Sequence, residues 1–433
     1  MAELKSIALS LKQKIEAAGI SEYSFEVTER EVRELNTEGR DFSLYRTLFH
    51  KKSSVEALMD GRKGTSSGND FTEEGLTAVV EAAKAGAENA QADAANAIAE
   101  KQVNETFTRG PQEADMDGFY HRLEELFETV CTEYPKVALM QVIAAHNKTH
   151  TIYENSNGTV FETFDGVYYV DLEFAGSDGE RTTGLGYCGV ALHDINKPII
   201  DCGAIRQQLK DAEASLTQTA IGGKFEGTVI FTPDALGRFA HMLVGNFMSD
   251  SVVVAGTSLW LNKISQKVAS DSFTLRVAAN DPRLVETEPY TSDGYKAENL
   301  TLIENGVLKA HQLSLYAANK TGRKVAKNTG FAAIIEPGDT PLADMIKNVK
   351  RGMIVGGFSG GHPGASGEFS GVAKNSFYIE DGKVKGAVME TMINGNLADV
   401  FNNILAISRE VTEDGYASMP YMAVSGITIS GKN

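Results

Sequence analysis

The chain has 433 residues, 42% of them hydrophobic and 23% charged, with a net charge of −17. That length predicts two domains rather than one, because single cores rarely grow beyond about 250–300 residues. The acidic balance disfavours a nucleic-acid backbone as partner, and no apolar run approaches the ~18 residues of a membrane-spanning helix. Three cysteines, Cys131, Cys188 and Cys202, with no CxxC pair, point to a reducing compartment, and the cytoplasm is the expected location.

In chain order, AELKSIALSLKQKIEAAGI scatters lysines and a glutamate among apolar positions, which predicts an amphipathic helix rather than a signal peptide. SEYSFEVTEREVRELNTE, FSLYRTLFH and SSVEALMDG read as strands, with DGRKG as a turn. A helix is expected from near Thr72, with Leu76, Val79, Val80 and Ala83 on one face. Residues 88–96 keep so weak an apolar stripe that they should pack poorly or lean on another chain. FTRGPQEADMDG (107–118) reads as a linker, DGFYHRLEELFETVCTEY as a helix, and VALMQVIAA, HTIYENSNGTVFET and GVYYVDLEFAG as three antiparallel strands. IRQQLKDAEASLTQTA (205–220) returns to helix.

Residues 226–250 organise the rest. Val229–Phe231 is a buried strand by composition, and Thr232-Pro233-Asp234 starts a helix as N-cap, first-turn proline and dipole-complementing acid. Leu236, Phe239, Leu243 and Phe247 then line its core face. Further on, Asn305-Gly306 and Asp381-Gly382 mark hairpins, Asn396 caps the helix LADVFNNILAI, and MAVSGITIS is a closing strand. The whole reads as an α+β protein of two domains. A layered α/β half (1–220) precedes a β-rich half (221–433) with one or two packed helices.

Several chemical motifs can be weighed on their residues. His146 and His150 in HNKTH have helical metal-pair spacing but strand-like flanks and no following glutamate, so a hairpin turn is expected there. Gly357-Phe358-Ser359-Gly360-Gly361 fits G-x-S-x-G, yet HPGASGEFSG cannot begin the helix a nucleophile elbow needs, which leaves a glycine-rich loop of close backbone approach. No phosphate-binding glycine motif is present. Cys188 and Cys202 lie in the apolar or glycine-rich surroundings of structural thiols. Lys347, Lys350 and Arg351 form a local basic cluster that a solvated helix end accounts for.

The stretch 351–407 joins a glycine-rich loop, SGEFS, IE-x-G and NGN before a helix, and it resembles the C-terminal part of the TldD/PmbA family. SVEALMDGRKGTSSGNDFTEEGL, ENSNG at 154–158 and LTLIENGVLKAHQLSLYAANKTG at 300–322 extend the resemblance along nearly the whole chain. The family is named for modulation of DNA gyrase and is related to metallopeptidases. Its TldD-like branch carries His-Glu-x-x-x-His at the end of a central strand and a cysteine near the C-terminus. The matching positions here read Pro233-Asp234-Ala235-Leu236-Gly237-Arg238, and 410–426 contains no cysteine. Proline offers no donor and a guanidinium cation repels Zn²⁺.

The resemblance therefore implies the PmbA/TldE-like branch. Such a chain is a subunit without catalytic or metal residues of its own, paired with a zinc-bearing TldD-like subunit or with itself, and handling unfolded peptide. Asp234, Arg238, His241 and His362 are the candidate peptide or partner contacts, each also readable as an ordinary surface position. The alternative is a peptidase active alone, through other residues or a metal at a subunit boundary. A third reading, DNA binding, is disfavoured by the charge.

Overall fold

The structure is a computed structural model describing residues 2–431 apart from His362 and Glu390. The first half is α1 (Ala2–Ala17), β1 (Glu22–Glu38), β2 (Asp41–Met59), β3 (Arg62–Gly68), α2 (Glu73–Asn89), β4 (Glu105–Arg109), α3 (Met116–Glu133), β5 (Val137–Asn155), β6 (Val160–Gly176), β7 (Gly186–Leu192) and α4 (Ile205–Ala214). Its strands form one sheet in the order β3-β2-β1-β5-β6-β4, with β7 also on β6.

Phe25 and Leu35 on β1 are ten positions apart, so they share a face of the sheet. Phe25 packs in the core that α1 and α2 complete through Leu4, Leu11, Leu76 and Val80, while Leu35 packs in the core of α3 and α4. All four helices therefore cover one face. The alternate residues of β6, Asp165, Tyr169 and Asp171, face the other way and meet the second half of the chain.

That half is β8 (Lys224–Phe231), α5 (Pro233–Phe247), α6 (Asp250–Val254), β9 (Leu275–Val277), β10 (Leu300–Glu304), β11 (Val307–Leu308), α7 (Leu315–Thr321), β12 (Ala333–Ile335), α8 (Leu342–Lys347), β13 (Arg351–Val355), β14 (Gly357–Gly361), β15 (Glu368–Lys374), β16 (Ser376–Glu380), β17 (Lys383–Val388), β18 (Met392–Asn396), α9 (Leu397–Asn402), β19 (Ile404–Glu413) and β20 (Ser418–Ser430). These strands make a second sheet, β11-β10-β9-β12-β20-β8-β13-β16-β17, to which β14, β15, β18 and β19 attach.

The two halves are stitched by polar groups at the sheet faces and loops. Tyr290 Oη donates to Glu26 at 3.0 Å, and Tyr153 Oη to the Asp293 carbonyl at 3.3 Å. Arg109 pairs with Asp165 at 2.5 Å and reaches the Thr287 carbonyl with its other arm.

Several expectations need correction. HNKTH is no hairpin turn: β5 runs unbroken through it and pairs with β1 and β6 along its length, so two long strands stand where three short ones were expected. The two histidines share a strand face, where His146 Nε2 lies 3.0 Å from the Pro111 carbonyl and His150 Nε2 3.0 Å from Glu162. The expected linker begins inside β4, which pairs in parallel with β6, and ends inside α3. Residues 88–96 lean on their own chain, because Asp93 receives Lys320 at 2.6 Å and Tyr316 at 3.0 Å. Gly357–Gly361 is a strand, not a loop, although the close approach is real, since a Cβ at Gly360 would sit 2.4 Å from the Gly371 Cα. LADVFNNILAI is helical only to Asn402 and then continues as β19. The second half holds α5–α9 rather than one or two helices. Arg351 of the basic cluster is structural: its guanidinium lies 3.6 Å from the Phe225 ring centroid.

Helix α5 forms as its sequence implies. Thr232 Oγ1 accepts the Ala235 N–H and Pro233 occupies the first turn. Phe239 is fully buried, with ring centroids at 4.5 Å to Phe231, 5.1 Å to Phe369 and 5.5 Å to Phe358. Phe239→Ala should cost about 3–5 kcal/mol of stability through the cavity it leaves. Urea unfolding checks this as a lowered midpoint with an unchanged slope.

Candidate functional site

Strands β8 and β13 are parallel, with Phe231 opposite Val355, so both end at the same edge of the second sheet. Beyond them the chain turns into α5 on one side and into β14 on the other. Thr232 joins the two exits, since its N–H donates to the Val355 carbonyl at 3.0 Å. Gly356 is required at this crossing, because a Cβ there would lie 2.2 Å from the Asn375 carbonyl oxygen.

The open side of this edge is a cleft of about 1070 Å³ between the two halves of the molecule, adjoined by a second chamber of about 670 Å³. β6 and β7 supply Asp171 and Cys188 to the larger chamber, α5 supplies Asp234, Arg238 and His241, and β14 and the segment after β19 supply Ser359, Asp414 and Tyr416. The smaller chamber is lined by the polar Gln207, Gln208 and Asp211 of α4 and by the apolar Val388, Met389 and Met392. Asp234, Gln208, Gly356 and Lys374 border both.

Three of the four expected contacts come together here. Asp234, Arg238 and His241 are spaced four and then three along α5, which places them on its cleft face. Gln208 Nε2 donates to an Asp234 carboxylate oxygen and so orients it from across the cleft. The His241 ring lies 4.9 Å from Phe331, whose side chain is exposed. His362 lies outside the described residues.

The wall opposite α5 could not be found from local sequence. Asp171 sits in a β6 run of alternating residues, Asp211 on the polar side of a short helix, and Asp414 in a turn, so each looks like a solvated acid alone. Gly189 is the one local hint, because its missing side chain leaves room for Asp171, whose Oδ1 would lie 2.3 Å from a Cβ there.

Electrostatically the site is a crowded group of carboxyls. Asp234 is open to the water of the cleft, yet the surrounding protein and then the like charge of Asp414 push its pKa up to about 6, with Arg238 opposing. Burial likewise pushes Asp211 to about 6, and raises Asp414 and Asp171. Tyr421 is raised to about 12 by burial, and by the charges of Asp211 and Asp234 after it. Burial, with Asp234 and Asp171 behind it, pushes the Cys188 thiol up to about 12, so it is protonated and a poor nucleophile at neutral pH. Cys202 is buried and also raised, whereas Cys131 is exposed.

The residues do not fit a family-type zinc. At the head of α5, Pro233 has no donor atom and Arg238 brings a cation, leaving Asp234 as the one carboxylate of that triplet. Among the described residues no three His, Cys, Asp or Glu side chains converge in a way that could hold a metal ion.

The raised carboxyl of Asp234 has a pH signature. Its ordinary value is 3.8 and its value in the folded chain is about 6, so folding favours its neutral form. The resulting relative stability is fully present below the unfolded value and is lost as pH rises through the folded one. Asp234→Asn should therefore raise the Tm relative to the parent chain at neutral pH and leave the difference near zero in acid. Thermal melts of both proteins across that range check it, and a difference independent of pH would contradict it.

Residues 224–431 match the family described as the PmbA/TldA metallopeptidase C-terminal domain. The chain is 26% identical over 196 residues to a metalloprotease of Methanothermobacter thermautotrophicus, covering 42% of each. It is 28% identical over 210 residues to the metalloprotease PmbA of Escherichia coli O157:H7, covering 46% of this chain and 45% of that one. These matched segments thus span less than half of either relative's length. A 22% identity to the metalloprotease PmbA homolog of Haemophilus influenzae runs over 398 residues, 87% of this chain and 85% of the other. Among solved structures, TldE from Thermococcus kodakarensis superposes with a TM-score of 0.83 at 21% identity, over 98% of this chain and 100% of that one. Residues 224–431 are thus similar to the PmbA/TldA metallopeptidase C-terminal domain, and the whole chain shares the fold of TldE from Thermococcus kodakarensis.

Proposed function

We propose that this chain is the metal-free, TldE-like subunit of a TldD/TldE-type protease assembly in the cytoplasm, and that it binds unfolded peptide without cleaving it. The observation that carries this reading is the head of α5. It opens on a cleft of peptide-accommodating size, about 1070 Å³, yet presents Pro233, Asp234 and Arg238 where the family resemblance places a zinc-binding triplet.

The chain's own groups suit binding. β14 pairs with β15 on one side and, among the described residues, with no strand on the other, while Gly357–Gly360 border the cleft. An extended peptide can add to such an edge through backbone hydrogen bonds, which require no particular sequence. Asp234 and Asp414 can receive cationic side chains, and Arg238 and Lys374 can receive anionic ones. Hydrolysis then belongs to a partner whose zinc supplies the activated water.

A tagged chain purified from its own host tests this. The expected outcome is stoichiometric co-purification of a subunit carrying His-Glu-x-x-x-His, with peptide cleavage only when both are present. Cleavage by the isolated chain, with one zinc bound per chain, would overturn the proposal in favour of a self-sufficient peptidase.

A further inference from the structure

The smaller chamber, about 670 Å³, has the size of pockets that enclose small ligands, ~300–1,000 Å³. One of its walls is α4 and another begins at Ala387 of β17, and backbone bonds tie the two. The Ala387 N–H donates to the Thr217 carbonyl at 3.0 Å, and the Thr219 N–H to the Ala387 carbonyl at 2.7 Å. The α4 wall carries Asp211. Its carboxylate has one hydrogen-bond partner among the described residues, Gln207, whose Nε2 donates to Oδ1 at 2.8 Å, and Lys210 acts on it only at a distance through its charge. Burial without a close counter-charge is what raises Asp211 to about 6. The other wall is apolar, with Val388 beside Met389 and Met392, and these two methionines remain 57% and 41% exposed. Asp211 and Asp234 outnumber Lys374, which is exposed, among the charged side chains lining the chamber.

We propose that this chamber selects a basic side chain of the bound peptide, a lysine or arginine whose methylene stem lies on the methionine wall and whose cationic head pairs with the Asp211 carboxylate. This rests on the peptide-binding reading of the cleft and adds its selectivity. Gly356 borders both chambers at the start of β14, so a peptide laid on that edge has the smaller chamber beside it. Long basic side chains bury their stems along apolar surface while presenting the charge to a polar partner. An aliphatic side chain would cover the methionines but leave Asp211 without a counter-charge. An acidic one would meet the like charges of Asp211 and Asp234.

Fluorescence anisotropy of labelled, unstructured peptides on the purified full-length chain tests this. The peptides are identical except for one central residue: lysine, norleucine (the stem without the ammonium) or glutamate. The expected order is lysine tightest and glutamate weakest, with lysine at least about tenfold tighter than norleucine. Asp211→Asn keeps the side chain's shape and should narrow the lysine-to-norleucine ratio to about twofold or less. Asp211→Lys should reverse the order of lysine and glutamate. A merely structural role for Asp211 would weaken all three peptides together and leave their ratios intact, which overturns the proposal. Equal affinities for the three on the parent chain overturn the subsite while leaving peptide binding in place, and failure of all three to bind overturns both.

Discussion

The junction at Phe231-Thr232-Pro233 is the constraint on which the rest depends. Thr232 is at once the residue leaving a central strand, the N-cap of α5, and the hydrogen-bond donor to Val355 at the end of the parallel neighbour. Fixing those three roles in one residue fixes where α5 starts, and therefore which of its residues face the cleft. The packing behind it, with Phe239 among Phe231, Phe358 and Phe369, makes the helix face rigid. β14 is held by the same aromatic group, so the cleft's two working walls, a helix face and a strand edge, share one core.

The second sheet alone would leave this edge open to bulk water. The first sheet closes it by presenting Asp171 and Cys188 from β6 and β7, while α4 contributes Gln208 and Asp211. Closure buries four aspartates with few compensating cations, and that burial raises their pKa values, with the like charge of Asp414 adding at Asp234 and that of Asp234 adding at Asp211. Gln208 steadies Asp234 without neutralising it. The outcome is a polar groove with charges of both signs, suited to holding a chain of varied side chains, and with a protonated thiol rather than a nucleophile in its wall.

The polar contacts across the seam explain why the halves hold this arrangement. Tyr290 to Glu26, Arg109 to Asp165 and Thr287, and Lys320 to Asp93 each join residues more than fifty positions apart. A seam of directional bonds sets orientation more sharply than an apolar contact of the same area, because each bond fails if the donor is turned away.

Local physics made much of this legible. The cap and apolar face of α5 followed from Thr232, Pro233 and the spacing of Leu236, Phe239, Leu243 and Phe247. The two hairpins followed from Asn305-Gly306 and Asp381-Gly382, whose positive φ angles are those that type I′ turns demand. The α+β class and the family resemblance were equally readable, because they rest on short-range pattern. What failed was anything set by distant partners. HNKTH looked like a turn because its residues are polar, yet β1 and β6 on either side hold it extended. Residues 88–96 looked loose until α7 supplied Lys320 and Tyr316 to Asp93. The cleft's far wall was invisible, since Asp171, Asp211 and Asp414 become a site only when three separate elements converge. Sequence determined each element's type and the chemistry at the head of α5, because those depend on neighbours a few residues away. Tertiary structure alone decided which carboxyls share a cleft and which strand edge stays open, because those depend on pairings that no local pattern encodes.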